Sequence, residues 1–205
     1  MNRNFFGMNL NVTMIIIIIN MLVFLSVHIL PGLINLLALQ LLLPWTFVTS
    51  MFTHYSLWHI FFNMLALFFI GQYIESILCA KRYLLTYFAG GIMGGIFFIL
   101  WDVLLLGHHA TAIGASGAIF GIFTALAILR PDQRVYLFPF PVPITLPVAV
   151  VVAFFFAMFI FGGIANVANS AHLGGIVAGA ICGYYFKNRS GPLYEYDEYG
   201  NVYRY

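Results

Sequence analysis

Four side chains with catalytic potential stand in stretches that are otherwise strongly apolar. Ser116 lies in Gly114-Ala115-Ser116-Gly117, and His172 in Asn169-Ser170-Ala171-His172-Leu173-Gly174-Gly175. His59 and Asn63 are four residues apart, which puts them on one face of a helix. A serine hydroxyl becomes a useful nucleophile when an adjacent base takes its proton, and a neutral imidazole is such a base. Attack on a carbonyl creates an oxyanion, which an imidazole, an amide side chain or a backbone N–H stabilises. Each residue alone has a plainer explanation, since serines bond to their own helix and histidines or asparagines link neighbouring helices. The four together make an acyl-transfer centre if the fold brings them to one place.

The elements that must do so are membrane spans. The 205 residues are 63% hydrophobic and only 7% charged, with eight Lys/Arg, six Asp/Glu and a net charge of +2. Soluble domains carry about 25% charged residues. The composition excludes a water-exposed globule, a disordered chain and a nucleic-acid binder. Apolar runs of roughly 17–25 residues are long enough to cross a bilayer as helices, and six are expected at about 12–30, 57–77, 83–101, 113–129, 146–163 and 170–186. The runs are continuous and lack the alternation of an outer-membrane barrel. The first lacks the basic start and cleavage site of a signal peptide. The expected fold is an all-α polytopic membrane protein of six transmembrane helices in a compact bundle.

With six spans, Arg3, Lys81, Arg82, Arg130, Arg134, Lys187, Arg189 and Arg204 all fall on one side. Lys/Arg excess marks the cytoplasmic face, so both termini are expected there. Counting at 1.5 Å per residue from the cytoplasmic ends puts Ser116, His172, His59 and Asn63 at roughly 21, 22, 24 and 18 Å. All four thus occupy one slab, on the order of 10 Å beneath the outer surface. Stripes of small residues then give spans 4 and 6 a way to meet. They run Gly117, Gly121, Ala125 and Ala171, Gly175, Gly179, Gly183, and such stripes let helix backbones approach closely in lipid. That contact sets Ser116 beside His172, with Phe120 covering the imidazole. The segment 31–53 is apolar but broken by Pro31, Gly32 and Pro44, and is expected to be interfacial or re-entrant. Residues 1–190 form the membrane domain, and 191–205 a short polar, tyrosine-rich cytoplasmic tail expected to be a mobile extension. Cys79 and Cys182 are expected to be reduced packing residues.

The chain resembles the rhomboid intramembrane serine proteases of the six-span bacterial type. The resemblance covers about residues 40–186 and rests on His59-x-x-x-Asn63, Gly114-Ala115-Ser116-Gly117 and Ala171-His172-x-x-Gly175-x-x-x-Gly179. It departs from the family at Trp45-Thr46, where relatives often carry Trp-Arg, and at Phe120, often tyrosine.

The resemblance implies cleavage of peptide bonds in or beside the transmembrane segments of other membrane proteins, next to a small residue and in a helix-weak segment. Ser116 is then the nucleophile and His172 the general base and acid. Asp102 and Glu75 lie too far out and too far in to complete a triad, which leaves a dyad. His59, Asn63 and the Ser116 N–H are the expected oxyanion donors, with Gly114 nearby. Phe120, Gly117, Gly175, Asn169 and His54 are expected to support the site. The polar groups of His54, Ser56, His59, Asn63, Asn169 and Ser170 suggest a wet cavity open to the outer face of an inner membrane. Span 5 and the 5–6 connection are expected to gate it. No His-Glu-x-x-His or Gly-x-Gly-Asp motif occurs, and neither metal nor cofactor is expected. The expected partners are membrane-protein substrates and the lipid bilayer. The alternatives are a catalytically inactive rhomboid-like protein that binds membrane clients and a transporter or metal channel.

Overall fold

The computed structural model describes residues 4–5, 8–9, 11–107, 111–136, 142–158, 169–189, 194–196 and 202–204. Six principal helices dominate them: α1 (Val12–Ile29), α2 (Leu57–Ile77), α3 (Ala80–Leu105), α4 (Ser116–Leu129), α5 (Leu146–Phe156) and α6 (Asn169–Arg189). The first three are long and apolar enough to cross a membrane, and α4 and α5 are shorter apolar helices. Large apolar side chains such as Leu22, Leu25, Phe69, Leu104, Val151 and Ile181 are exposed on the outside of the bundle. Such a surface fits a hydrocarbon solvent and not water. The chain is an all-α integral membrane protein.

Local chemistry sets the helix ends. At the start of α1 the Asn11 side chain accepts from the Met14 N–H at 2.9 Å. Glu75, near the end of α2, accepts from the Val12 and Thr13 N–H groups at 2.7 and 2.9 Å and from the Thr13 hydroxyl at 2.6 Å. Three of the four N–H groups that a helix start leaves without partners are thereby satisfied. Ser56 caps α2 by accepting from the His59 N–H at 3.2 Å. Proline at the beginning of α5 occupies a position where its missing N–H costs nothing, and Pro131 follows the end of α4. Between α4 and α5, Arg134–Val135 pairs antiparallel with Ile144–Thr145.

Several helix boundaries differ from those read in the sequence, those of α3 and the start of α4 most clearly. Helix α3 begins three residues earlier and ends four later, closing in a π-helical stretch over Ile99–Leu105. Lys81 and Arg82 sit in its first turn without stopping it, since long basic side chains extend to the interface from a helix end. Helix α4 starts at Ser116 and not at 113, because Gly114 adopts φ +118, outside helical space. The end of the expected fifth span, 159–163, and the 5–6 connection lie outside the described residues.

Helices α3, α4 and α6 make the most extensive contacts, and glycine permits them. A Cβ on Gly175 would run into the Gly117 carbonyl oxygen, and one on Gly179 into that of Gly121. Nearly every residue of α4 is buried, so it is the central helix. Buried hydroxyl and amide groups bond back to their own helices, Asn20 to Ile16 O and Thr86 to Arg82 O, as lipid-embedded polar groups must.

The segment between α1 and α2 is a series of short helical turns. It leaves Leu36, Leu41, Leu42 and Trp45 exposed and buries Ala38, Leu39 and Met51. Where relatives often carry an arginine after tryptophan, Trp45 and Thr46 both bond within the segment. The Trp45 indole donates to Leu36 O at 3.1 Å, and buried Thr46 accepts from the Gln40 N–H at 3.0 Å. In the tail, Tyr194–Tyr196 pairs antiparallel with Val202–Arg204.

Candidate active site

Ser116 is the first residue of α4, and His172 lies in the first turn of α6. Their side chains meet, with His172 Nε2 2.9 Å from Ser116 Oγ. The close packing of α4 on α6 at Gly117 and Gly175, one residue beyond Ser116 and three beyond His172, brings the two helix starts together. The imidazole is buried, and the Phe120 ring lies over it at a centroid distance of 4.7 Å. Phe154 of α5 packs edge-on against Phe120 at 6.2 Å. His172 Nδ1 has no hydrogen-bond partner among the described residues. The carboxylates of α2 and α3 are committed elsewhere. Glu75 caps α1, and Asp102 accepts from the Ser170 hydroxyl.

Helix α4 begins without a side-chain cap. Its Ser116, Gly117 and Ala118 N–H groups therefore point from the helix start with no intrahelical acceptor, and the helix dipole makes this end partially positive. The preceding turn is held from outside. The Gly114 N–H donates to Ser50 O at 2.9 Å, and the Ala115 N–H donates to His54 Nε2 at 3.3 Å. Because Nε2 accepts, His54 is neutral and carries its proton on Nδ1. Burial, and then the neighbouring His59, push its pKa down to about 3, partly offset by a backbone hydrogen bond at Phe52.

His59 is half-buried and stands over Gly114. A Cβ on Gly114 would lie 2.7 Å from both Cε1 and Nε2 of the His59 ring. The other side of His59 meets His54 edge-on at 4.9 Å. Asn63 is buried one turn below, and its amide donates to its own helix at His59 O, 2.8 Å away. Asn169 is half-buried, with Oδ1 unpartnered among the described residues. Of the groups read as lining a wet cavity, His54 and Ser170 are buried and bonded to protein. The link between Asp102 and Ser170 joins residues 68 apart, and no sequence signal marks it. Among the described residues, no group of three or more His, Cys, Asp or Glu is arranged to hold a metal ion.

An apolar helical bundle that sets a half-buried serine against a buried histidine at the meeting of two helix starts defines a class of membrane protein, and comparison with known proteins identifies it. The Rhomboid domain family model matches residues 43–189, and the chain belongs to the rhomboid family. It is 32% identical over 144 residues to Rhomboid protein 1, mitochondrial, of Saccharomyces cerevisiae, which covers 67% of this chain and 40% of that protein. Rhomboid protease GluP of Bacillus subtilis is 30% identical over 136 residues, 66% of this chain and 24% of its own. Inactive RHOMBOID-like protein 8 of Arabidopsis thaliana is 28% identical over 135 residues, 65% of this chain and 36% of its own. The chain thus spans less than half the length of these relatives, which include a protease and a protein named as inactive.

Proposed function

We propose that this protein is an intramembrane serine endopeptidase that cleaves peptide bonds in or next to transmembrane segments of other membrane proteins. The observation that carries this reading is the 2.9 Å approach of His172 Nε2 to Ser116 Oγ in a rhomboid-family chain. As Ser116 Oγ attacks the scissile carbonyl carbon, its proton passes to His172 Nε2. The C–N bond then breaks as that proton is delivered to the leaving amine, and water releases the acyl-enzyme by the same steps in reverse. The dyad needs no carboxylate, because packing against Phe120 orients the imidazole. The oxyanion takes hydrogen bonds from the Ser116 N–H at the uncapped start of α4, from His59 and from the second N–H of the Asn63 amide. Each such donor contributes about 3–4 kcal/mol in the transition state.

In this reading the chain crosses the inner membrane six times, with both termini in the cytoplasm and the site opening to the outer face. A fluorophosphonate probe tests the chemistry. The expected result is covalent labelling of Ser116 and cleavage of a transmembrane reporter, both lost in Ser116→Ala. Absence of labelling in folded protein would favour the alternative suggested by the inactive relative, a module that binds membrane proteins without cutting them. A thiol reporter inserted near residue 108 tests the topology, and labelling only from the cytoplasmic side would invert it.

A further inference from the structure

Asp102 is the one acidic residue that the sequence places at the outer end of a span, far from the inner cap made by Glu75. Ionisable groups at such positions are costly and seldom idle. The dyad does not use it, yet it is not free. It leaves the π-helical end of α3 half-buried and accepts a hydrogen bond from the buried Ser170 hydroxyl, two residues before His172. The first turn of α6 is where His172 sits, and a first turn lacks intrahelical acceptors for its N–H groups. Among the described residues, α4 packs on that turn at Gly117, and α3 holds it at two further points. Backbone packs directly on backbone, since a Cβ on Gly94 would lie 2.8 Å from Ala171 O. Two helical turns further out, Asp102 takes the Ser170 hydroxyl. A carboxylate there also lies at the positive end of the α6 dipole. The His172 ring itself has only Ser116 as a hydrogen-bond partner among the described residues, with Phe120 as its ring contact. Its position therefore depends on the backbone of residues 170–172.

We propose that Asp102 is a positioning residue: by accepting the Ser170 hydroxyl it pins the first turn of α6 and holds His172 within reach of Ser116. This rests on the protease reading above. A catalytic base displaced by about 1 Å loses on the order of a hundredfold in rate, so losing the link costs turnover and not substrate binding.

The test uses Asp102→Ala, Ser170→Ala and their double variant in the full-length protein, with cleavage of a transmembrane reporter in liposomes. Each single variant is expected to lower kcat roughly ten- to a hundredfold with KM changed by less than about twofold. The double variant is expected to be no worse than either single one, because both remove one link. Ser170→Thr, which keeps the hydroxyl, is expected to retain activity. Hydrogen exchange at the amides of residues 171–174 is expected to quicken in both alanine variants. Serine to alanine is mild in a helix, so Ser170→Ala carries the test if Asp102→Ala does not fold. Unchanged kcat in a folded alanine variant, or losses that multiply in the double variant, would overturn the role of Asp102 alone. A wild type that neither cleaves nor labels at Ser116 would overturn the protease reading, and this role with it.

Discussion

Gly114→Ala strikes the site through two separable costs. The first is local. The backbone there lies at φ +118, and forcing an L side chain into such a conformation costs about 1–3 kcal/mol. The second is a collision, because the new Cβ would stand 2.7 Å from Cε1 and Nε2 of His59. Carbon atoms in contact sit about 3.5–4.0 Å apart, so the ring must retreat by about 1 Å. His54, buried and edge-on at 4.9 Å, blocks one direction. The ring is then turned away from the start of α4, and a displaced oxyanion donor costs on the order of a hundred- to a thousandfold in kcat. The expected outcome is a folded protein with a somewhat lower melting temperature and kcat reduced by at least about a hundredfold. Cleavage of a transmembrane reporter in liposomes measures it. His59→Ala and the double variant isolate the collision. Once the ring is gone, Gly114→Ala is expected to add little further loss of kcat, beyond its effect on stability. Wild-type turnover in Gly114→Ala, or a double variant whose loss is the product of the single losses, would refute the reasoning.

Other predictions follow from the same geometry. Ser116→Ala and His172→Ala are each expected to abolish cleavage while leaving a folded protein, as the two act as a unit; residual cleavage by purified, folded Ser116→Ala would remove the assignment. Asn63→Ala is expected to lower kcat by roughly a hundred- to a thousandfold yet leave Ser116 able to react slowly with a fluorophosphonate, and full turnover would reduce Asn63 to a brace for its own helix. His54 gives a pH signature. Its pKa is about 3 in the folded chain and 6.5 when unfolded, so its stabilising contribution is complete above pH 6.5 and is lost as pH falls towards 3. At pH 4.5 the deficit is roughly 3 kcal/mol. Thermal unfolding in detergent is expected to lose much of this pH dependence in His54→Gln, whose side chain still accepts from the Ala115 N–H. An unchanged pH profile in that variant would show that His54 is not the titrating group.

Hydropathy made the spans legible because a helix in lipid has to satisfy its own backbone and face hydrocarbon, and both demands are written in single residues. The ends were harder. Gly114 stops α4 through its dihedral angle, whereas Lys81 and Arg82 do not stop α3 at all. The closeness of Ser116 and His172 follows from the small-residue stripes of α4 and α6, along which Gly175 meets Gly117 and Gly179 meets Gly121. The direction of each polar side chain was not readable. Spacing put Asn63 and His59 on one face but did not show the amide bonding to His59 O. The contacts that no pattern announced are long-range ones. Glu75 caps a helix start 63 residues earlier, and Asp102 reaches a serine 68 residues later. Residue spacing encodes contacts within a helix, and these two lie between helices.

In the proposed protease reading, a dyad without a carboxylate suits this setting. A third, carboxylate member beside His172 would have to be ionised in a low-dielectric site, and an ion costs several kcal/mol to desolvate unless it is paired and hydrogen-bonded. The fold keeps its two relevant carboxylates at the edges, Glu75 on the N–H groups of α1 and Asp102 on the hydroxyl of Ser170. In that reading the centre itself holds neutral polar groups, and charge develops there only during the reaction. These are a hydroxyl, an imidazole, an amide and the unpaired N–H groups at the start of α4. A helix start supplies those donors without any ionised side chain and with their dipoles already aligned. With Ser116 as the first residue of α4, the proposed nucleophile and its proposed oxyanion donor share one rigid support. With His172 in the first turn of a second helix, the position of the proposed base depends on what pins that turn as well as on the Phe120 ring.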